Sequence, residues 1–457
     1  MKKKIVSALM VAAMVVTAFA GCGSDKGGTS TQGGDKTSKS SGKVYMLNFK
    51  PETDEAWQDL AKTYTDQTGV EVNVLTAADG QYNTTLQSEM AKSDAPTIFN
   101  VGNSSAAQTW NDYTYDLKDS ELYKHLTDKS LVINSDDKVA AIANCYECYG
   151  LIYNKTILEG YCGMDGAVVS SVDEINNFDT LKKVADDINK ELGTDLTEAF
   201  ASAGLDDGSS WRFAGHLANM PLYYEFKDDG CDLTAGEESI KGTYLDNFKN
   251  VWDMYVSDSA ADPKTLNSGA LNAESEFGMG EAVFYQNGDW EFAPLTDEEN
   301  GYVVTADDLS MMPIYFGVDD ENEGLCVGTE NYWAVNAKAS QEDIDATLEF
   351  LNWVITSDEG RDAITNQMGL TAPYDTFTGD YETKNAFAQA ANKLMTDGKT
   401  SVAWSFNATP NVDDWRADVV SALTAYTAGE GEWDAVKTAF VDGWANQWKI
   451  AHEGDAQ

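Results

Sequence analysis

Two short stretches carry side chains whose types and order could do chemistry. In YECYGLIYNKTIL, residues 146–158, Glu147 sits inside an otherwise apolar strand-forming run. A carboxylate there needs partners. Backbone amides could satisfy it within the fold, or it could face a cleft and accept hydrogen bonds from a hydroxylated ligand. In AVFYQNGDWEF, residues 282–292, the apolar run Ala282, Val283, Phe284, Tyr285 gives way to Asn287, Gly288, Asp289 and Trp290. On the residues alone, an indole just past such a run is more often core packing than a ligand contact.

Other reactive chemistry is sparse. Cys145 and Cys148 have CxxC spacing, but no basic neighbour or helix start follows and no second CxxC exists. Redox and zinc roles are disfavoured, and both read as small buried hydrophobes. His125, His216 and His452 are the only histidines, and none neighbours a serine or cysteine in a nucleophile arrangement. No catalytic residue is therefore assigned; His216 could hydrogen-bond a hydroxyl or serve the fold. Asp319, Glu321, Glu323, Gly324 and Glu330 match the spacing of an EF-hand loop. Two of its inner positions hold glutamates, longer than the usual Asp or Asn, Pro313 precedes it and a strand pattern follows, so neither metal nor cofactor is expected.

The elements that must position these groups follow from periodicity. Val44–Phe49 reads as a strand, and Trp57, Leu60, Ala61 and Tyr64 recur at i, i+3, i+4 and i+7, a helix that Gly69 stops. Val70, Val72 and Val74 give a second strand, Tyr82, Leu86 and Met90 a helix stripe, and Thr97–Val101 a third strand after Pro96. Repeated β-α-β units imply a parallel sheet with ligands at its carboxyl ends. Lys50, Glu52, Tyr82, Asn100 and Asn103 fall at that rim, each by itself an ordinary loop residue. Ser340 and Asp343 form a capping-box pattern before a helix carrying Ile344, Leu348, Leu351 and Ile355.

Composition sets the class. The 457 residues exceed what one core usually serves, so two lobes are expected, and 42% hydrophobic with 11% aromatic residues suffice to bury them. Thirty-one Lys plus Arg against 76 Asp plus Glu give a net charge of −45, which repels phosphate backbones and anionic lipid; nucleic-acid binding is excluded. Lys2, Lys3 and Lys4 precede an apolar Ile5–Phe19 segment too short to span a bilayer comfortably. It ends in Phe19, Ala20, Gly21, Cys22, which resembles the bacterial lipobox and implies that residues 1–21 are a lipoprotein signal peptide and Cys22 the lipidated first residue. Its loss removes three lysines and takes the charge from −45 to −48. Residues 22–42 are a Gly/Ser/Thr-rich linker with no large apolar side chain, a coil spanning roughly 25 Å. Five cysteines remain beyond Cys22, an odd number that argues against a complete disulfide framework.

The order and spacing of several stretches resembles extracellular solute-binding proteins of the family-1 carbohydrate type, the lipoprotein receptors of ABC importers in Gram-positive bacteria, related to maltose-binding protein. They are WQDLAKTYTDQTGVEVNVL, YECYGLIYNKTIL, FGMGEAVFYQNGDWEF, GTENYWAVNAKAS with EFLNWVITSDEGRDAI, and GLTAPYDTF. Together they span nearly everything after residue 43.

The resemblance implies an α/β, two-lobed periplasmic-binding-protein-like fold of type II, each lobe discontinuous, with the ligand cleft between them. Crossovers are expected near Asn144–Tyr149, Met311–Pro313 and Leu370–Pro373. They divide the body into lobe one, residues 43–147 plus 313–371, and lobe two, residues 148–312 plus 372–457. By position Glu147 matches a cleft carboxylate, and Trp290 a tryptophan that stacks on a sugar ring, with Asn287 and Asp289 taking hydroxyls. Trp211, Trp333 and Trp404 are comparable cleft aromatics, although strand alternation turns Tyr332 and Trp333 to opposite faces; Trp252 and Trp353 read as core. Lys50, Glu52, Tyr82, Asn103 and Glu330 complete the expected ligand-binding set.

The function implied is a non-enzymatic, monomeric receptor, lipid-anchored on the extracellular face of a Gram-positive cell membrane. It would capture a mono- or oligosaccharide by hinge closure and deliver it to ABC permease transmembrane subunits. The alternatives are a non-sugar solute such as a polyamine or peptide in the same fold, and a surface-anchored carbohydrate-active enzyme.

Overall fold

A computed structural model of the chain describes residues 42–452 apart from 79–80, 128, 130, 192–197 and 235. The expected signal peptide, Cys22 and the linker up to residue 41 lie outside the described residues. The strands in chain order are β1 (Val44–Asn48), β2 (Val72–Thr76), β3 (Ile98–Val101), β4 (Val132–Ser135), β5 (Lys138–Ala143), β6 (Glu147–Asn154), β7 (Glu198–Phe200), β8 (Ala282–Gly288), β9 (Leu309–Met312), β10 (Glu323–Gly328), β11 (Tyr332–Val335) and β12 (Thr400–Ala403).

They form two sheets, ordered β2-β1-β3-β11-β5-β4 and β12-β10-β6-β8-β7, with β9 also paired to β6. The first sheet begins as the β-α-β repeat predicts. The helix Asp54–Thr68 buries Trp57, Leu60, Ala61 and Tyr64 and ends on Gly69, whose φ of 78° is the left-handed cap that glycine takes without steric cost. The helix Tyr82–Met90 buries Tyr82, Leu86 and Met90. β1 pairs with β2 and β3 in parallel, but β11 enters antiparallel to β3 and β5, and β4 is antiparallel to β5. The sheet is therefore mixed, because a strand arriving from the other lobe needs no right-handed crossover and can enter in either direction.

Each sheet is covered on both faces. Trp57, Trp333, Phe350 and Ile355 belong to one core of the first sheet, and Leu47, Phe99, Ala141 and Ala334 to the other. The helix Gln341–Thr356 starts at Ser340, whose hydroxyl accepts the Asp343 amide at 3.2 Å. It buries Ile344, Leu351 and Ile355 as expected and adds Phe350 and Val354, while Leu348 sits at the core's edge.

Three passages connect the sheets. The first is Asn144–Tyr146, between β5 and β6. The second does not lie at 311–313. β9 pairs with β6, β10 with β6 and β12, and the chain leaves the second sheet only at Thr329–Asn331. Pro313 follows a strand that stays on the second sheet, so it marks the end of an edge pairing and not a hinge. The third passage is spread out. Thr371 bridges to Tyr146, Tyr374 still packs in the first core, and the helix Ala386–Thr396 packs under the second sheet through Phe387 and Ala391. The passages are laced together: the Asn144 amide donates to the Asn331 carbonyl at 2.9 Å, and the Tyr146 amide to the Thr371 carbonyl at 2.9 Å.

Candidate functional site

The site is built on the ends of β1, β6 and β8. After β1 the chain turns through Pro51–Thr53, and the Lys50 carbonyl is held at 2.8 Å by both the Asn48 amide nitrogen and the Thr53 hydroxyl. That anchoring aims the Lys50 ammonium across the passage to Glu147, the first residue of β6, at 2.6 Å. The second Glu147 oxygen accepts from Asn331 Nδ2 at 3.0 Å, so all three groups of this bridge come from different segments. Burial opposes the Lys50 charge, and the Glu147 carboxylate outweighs it: Lys50 holds its proton more tightly than an ordinary lysine.

β8 ends at Gly288 and a short turn, Asp289–Glu291, follows. The Asp289 carbonyl accepts from Asn385 Nδ2 at 2.6 Å, the N-cap of the helix Ala386–Thr396. Its carboxyl is only 6% exposed, and Oδ1 has no hydrogen-bond partner among the described residues. Burial first, and then the Glu147 charge, raise the Asp289 carboxyl well above the usual carboxylate range. Glu291 is pushed up to about 7 by burial and the Glu274 charge.

Lys50, Glu52, Glu147, Asp289 and Trp290 line one cavity of about 550 Å³, with Tyr146, Phe292, Thr371 and Asn385 among the other walls. Five of the twelve expected ligand-binding residues therefore meet at one place. Trp290 continues into an aromatic group: its ring centroid is 5.8 Å from Trp211 and 5.5 Å from His216. His216 stacks on Tyr149 at 4.1 Å and stands 5.9 Å from Trp404. Burial, helped by the Arg416 and Arg212 charges, holds the His216 imidazole down at about 3, so it is neutral, and its Nδ1 has no partner among the described residues.

The remaining expectations fall elsewhere. Trp404 is buried against Gly328, where an added Cβ would lie 2.4 Å from the indole, and it reaches the aromatic group from behind. Asn287 is 2% exposed and spends its side chain internally, donating to the Tyr285 hydroxyl at 2.6 Å and accepting the Gly288 amide at 2.9 Å. Trp333 is fully buried, its ring edge-on to Trp57 at 5.9 Å; alternation turns it into the first core. Tyr82 accepts the Asn100 amide at 2.5 Å and packs on Phe49, and Asn103 caps the helix Ser104–Thr109 through the Ala106 amide. Glu330 is half-buried, its carboxyl raised by burial and by Glu147 while Arg416 and Lys50 oppose the rise.

Several site residues escaped sequence reasoning. Tyr146 and Thr371 line the cavity because two passages pair there. Asn385 could have been found from its place before an apolar helix run, since a side chain that caps a helix is fixed enough to hold a neighbouring loop. Arg416, on the helix Val412–Thr427, has a buried Nε without a partner among the described residues and lies within reach of Gly215. Nothing in its acidic surroundings in the sequence marks it.

A family model described as bacterial extracellular solute-binding protein matches residues 59–378. No curated protein matches the chain. Among solved structures, the chain is similar to RafE in complex with raffinose, at 15% identity and TM-score 0.64, covering 89% of this chain and all of that one. It is similar to a chitin oligosaccharide binding protein at 15% identity and TM-score 0.65, covering 91% and all of that chain. A family 1 extracellular solute-binding protein from Bifidobacterium longum subsp. infantis gives 18% identity and TM-score 0.60, covering 89% and all of that chain. At these identities the likeness establishes the two-lobed fold.

Proposed function

The chain belongs to the bacterial extracellular solute-binding protein family, and we propose that its solute is a sugar or short oligosaccharide, held between the lobes by hinge closure and passed to the membrane subunits of an ABC importer. The observation that carries this reading is the placement of Trp290. Its indole lines the same cavity as Asp289 and the Lys50–Glu147 pair. A flat apolar face next to fixed hydrogen-bonding groups suits a pyranose, whose ring offers C–H faces and a rim of hydroxyls.

The hinge supports the same reading. Three passages laced by backbone hydrogen bonds can bend together, so closing one lobe on the other removes water from the bonds to the ligand. Micromolar capture needs about −8 kcal/mol, within reach of one or two stacked rings and a few charge-assisted hydrogen bonds. Anchoring through Cys22 would keep the receptor beside its permease at the outer membrane face. Among the described residues no helix is long and apolar enough to cross a membrane.

Intrinsic tryptophan fluorescence titrated against gluco-, xylo-, manno- and galacto-oligosaccharides tests the reading, because Trp290 reports occupancy directly. Saturable quenching by at least one sugar is the expected result; response only to peptides or amines overturns it. Sustained release of new reducing ends would assign the cleft to a carbohydrate-active enzyme.

A further inference from the structure

The sequence holds three arginines, and the fold employs two of them. Arg212 donates to the Ser202 carbonyl at 3.2 Å, and Arg361 to the Ser357 and Thr376 carbonyls and the Asp358 carboxylate. Arg416 makes no hydrogen bond and no ion pair among the described residues, in a chain with 76 acidic residues. Even Asp413, one turn earlier on the helix Val412–Thr427, does not pair with it. Arg416 Nε is enclosed; Nη1 and Nη2, equally without bonds, are not, and keep contact with solvent. A half-buried guanidinium with free terminal donors is an unusual thing to leave unused, since its planar fork binds oxygen acceptors well.

Its position joins it to the site. A Cβ at Gly215 would lie 3.7 Å from Arg416 Nη2 and 3.9 Å from Cζ, so the guanidinium rests on the backbone of the segment Arg212–Leu217, which follows Trp211 and contains His216. Trp211 is half-buried, 5.8 Å from Trp290, with the two ring planes 56° apart. One flat sugar ring cannot lie on both indoles, whereas two successive rings can. Glu330 approaches from the other sheet. It sits in the passage Thr329–Asn331, its carbonyl 3.6 Å from where a Cβ on Gly102 would stand, just past the end of β3. Asn407 Nδ2 donates to the Thr329 carbonyl at 3.2 Å and so ties this passage to the turn that leads into the Arg416 helix. The Glu330 carboxylate also has no hydrogen bond or ion pair among the described residues. Burial raises it, and Arg416 is first among the charges opposing the rise, so the two groups stand within electrostatic reach but farther apart than an ion pair.

We propose that Arg416 and Glu330 form a second subsite, in which the two charges hold hydroxyls of the sugar unit next to the one at Trp290, and Trp211 supplies its stacking face. The ligand is then an uncharged oligosaccharide of at least two units. This rests on the sugar reading above and adds length, charge and a contact residue to it. A hydroxyl donates to a carboxylate and accepts from a guanidinium, so hydroxyls of one ring serve both groups at once. A carboxylate on the ligand would suit Arg416 but be repelled by Glu330, and an ammonium would meet the reverse.

The test is calorimetric affinity along length series: glucose, cellobiose and cellotriose; glucose, maltose and maltotriose; xylose, xylobiose and xylotriose; and the manno and galacto counterparts. In the series that binds, the disaccharide is expected to exceed its monosaccharide about tenfold to a hundredfold, the range of hydrogen bonds to charged groups. Arg416→Met and, separately, Glu330→Gln should bring that ratio close to one. Arg416→Met should keep the native midpoint in urea, because the guanidinium bonds to nothing in the fold. A lowered midpoint with equal affinity losses at every length would make Arg416 a structural residue and overturn the inference. A monosaccharide that binds as tightly as its dimer would overturn it too, as would a dimer of galacturonate or glucosamine that binds more tightly than galactobiose or cellobiose. Each of these leaves the sugar reading standing. No response to any sugar overturns both.

Discussion

The indole of Trp290 lies directly over Gly288: a Cβ at position 288 would stand 2.1 Å from Trp290 Cη2 and 2.2 Å from Cζ3. The Gly288 backbone is extended, with φ −115° and ψ −178°, so any residue could adopt it. What requires glycine here is the close approach of the ring. Gly288→Ala is therefore expected to push the indole off its seat, shift its fluorescence emission and weaken sugar binding tenfold or more. The stability cost should stay within about 1–3 kcal/mol, the range for overpacking. Unchanged emission and affinity would show that the ring's seat has no part in binding.

Trp290 and Trp333 should separate cleanly. Trp333 is fully buried against Trp57 in the first core, and Trp290 is a half-buried wall of the cavity. Trp333→Ala is expected to lose about 3–5 kcal/mol in urea unfolding. Trp290→Ala should cost far less stability and most of the affinity. The reverse pattern would place the ligand elsewhere.

The bridge between Lys50 and Glu147 gives a third expectation. Both side chains are shielded, 14% and 9% exposed. Lys50→Met strands the Glu147 carboxylate with Asn331 alone, and removing one partner of a buried pair costs about 3 kcal/mol or somewhat more. Adding Glu147→Gln should restore much of that loss. Equal, additive losses in the double-mutant cycle would mean that the pair is not coupled.

The reach of the sequence is visible in these same residues. The helices that cover the first sheet were legible because Trp57, Leu60, Ala61 and Tyr64 repeat at helical spacing and Gly69 ends the pattern. Glu147 was legible because a carboxylate in an apolar strand must have a partner, and Asp289 and Trp290 because they break an apolar run. The middle passage was not legible: Pro313 looks like a break, whereas the pairing that keeps β10 on the second sheet is a contact between residues far apart in the chain. Trp333 and Trp404 show the same limit. An indole's spacing tells which face of a strand it takes, but not whether that face meets a core or a cleft. Asn287 turns inward for a closer reason, since the hydrogen bonds of its side chain go to Tyr285 and Gly288, its own neighbours.

His216 supplies the last expectation, in pH. Its folded pKa, about 3, lies below the ordinary 6.5 of an exposed histidine, with burial as the main cause. Below pH 6.5 the unfolded chain binds a proton there and the folded chain does not, so this residue's contribution to stability falls as pH falls from 6.5 towards 3, by up to about 1.4 kcal/mol per unit. Glu291 pulls the other way. With its carboxyl raised to about 7, the fold holds a proton that the unfolded chain gives up, so acidification stabilises over the range between an ordinary glutamate and about 7. Comparing His216→Gln with the native chain cancels Glu291 and isolates the histidine. The native chain's advantage over the variant should shrink by about 3 kcal/mol between pH 7 and pH 4.5 in urea melts. Parallel curves would mean that the imidazole titrates in the fold as it does in the unfolded chain, so that the ring beside Trp290 and Trp211 is not held neutral below pH 6.5.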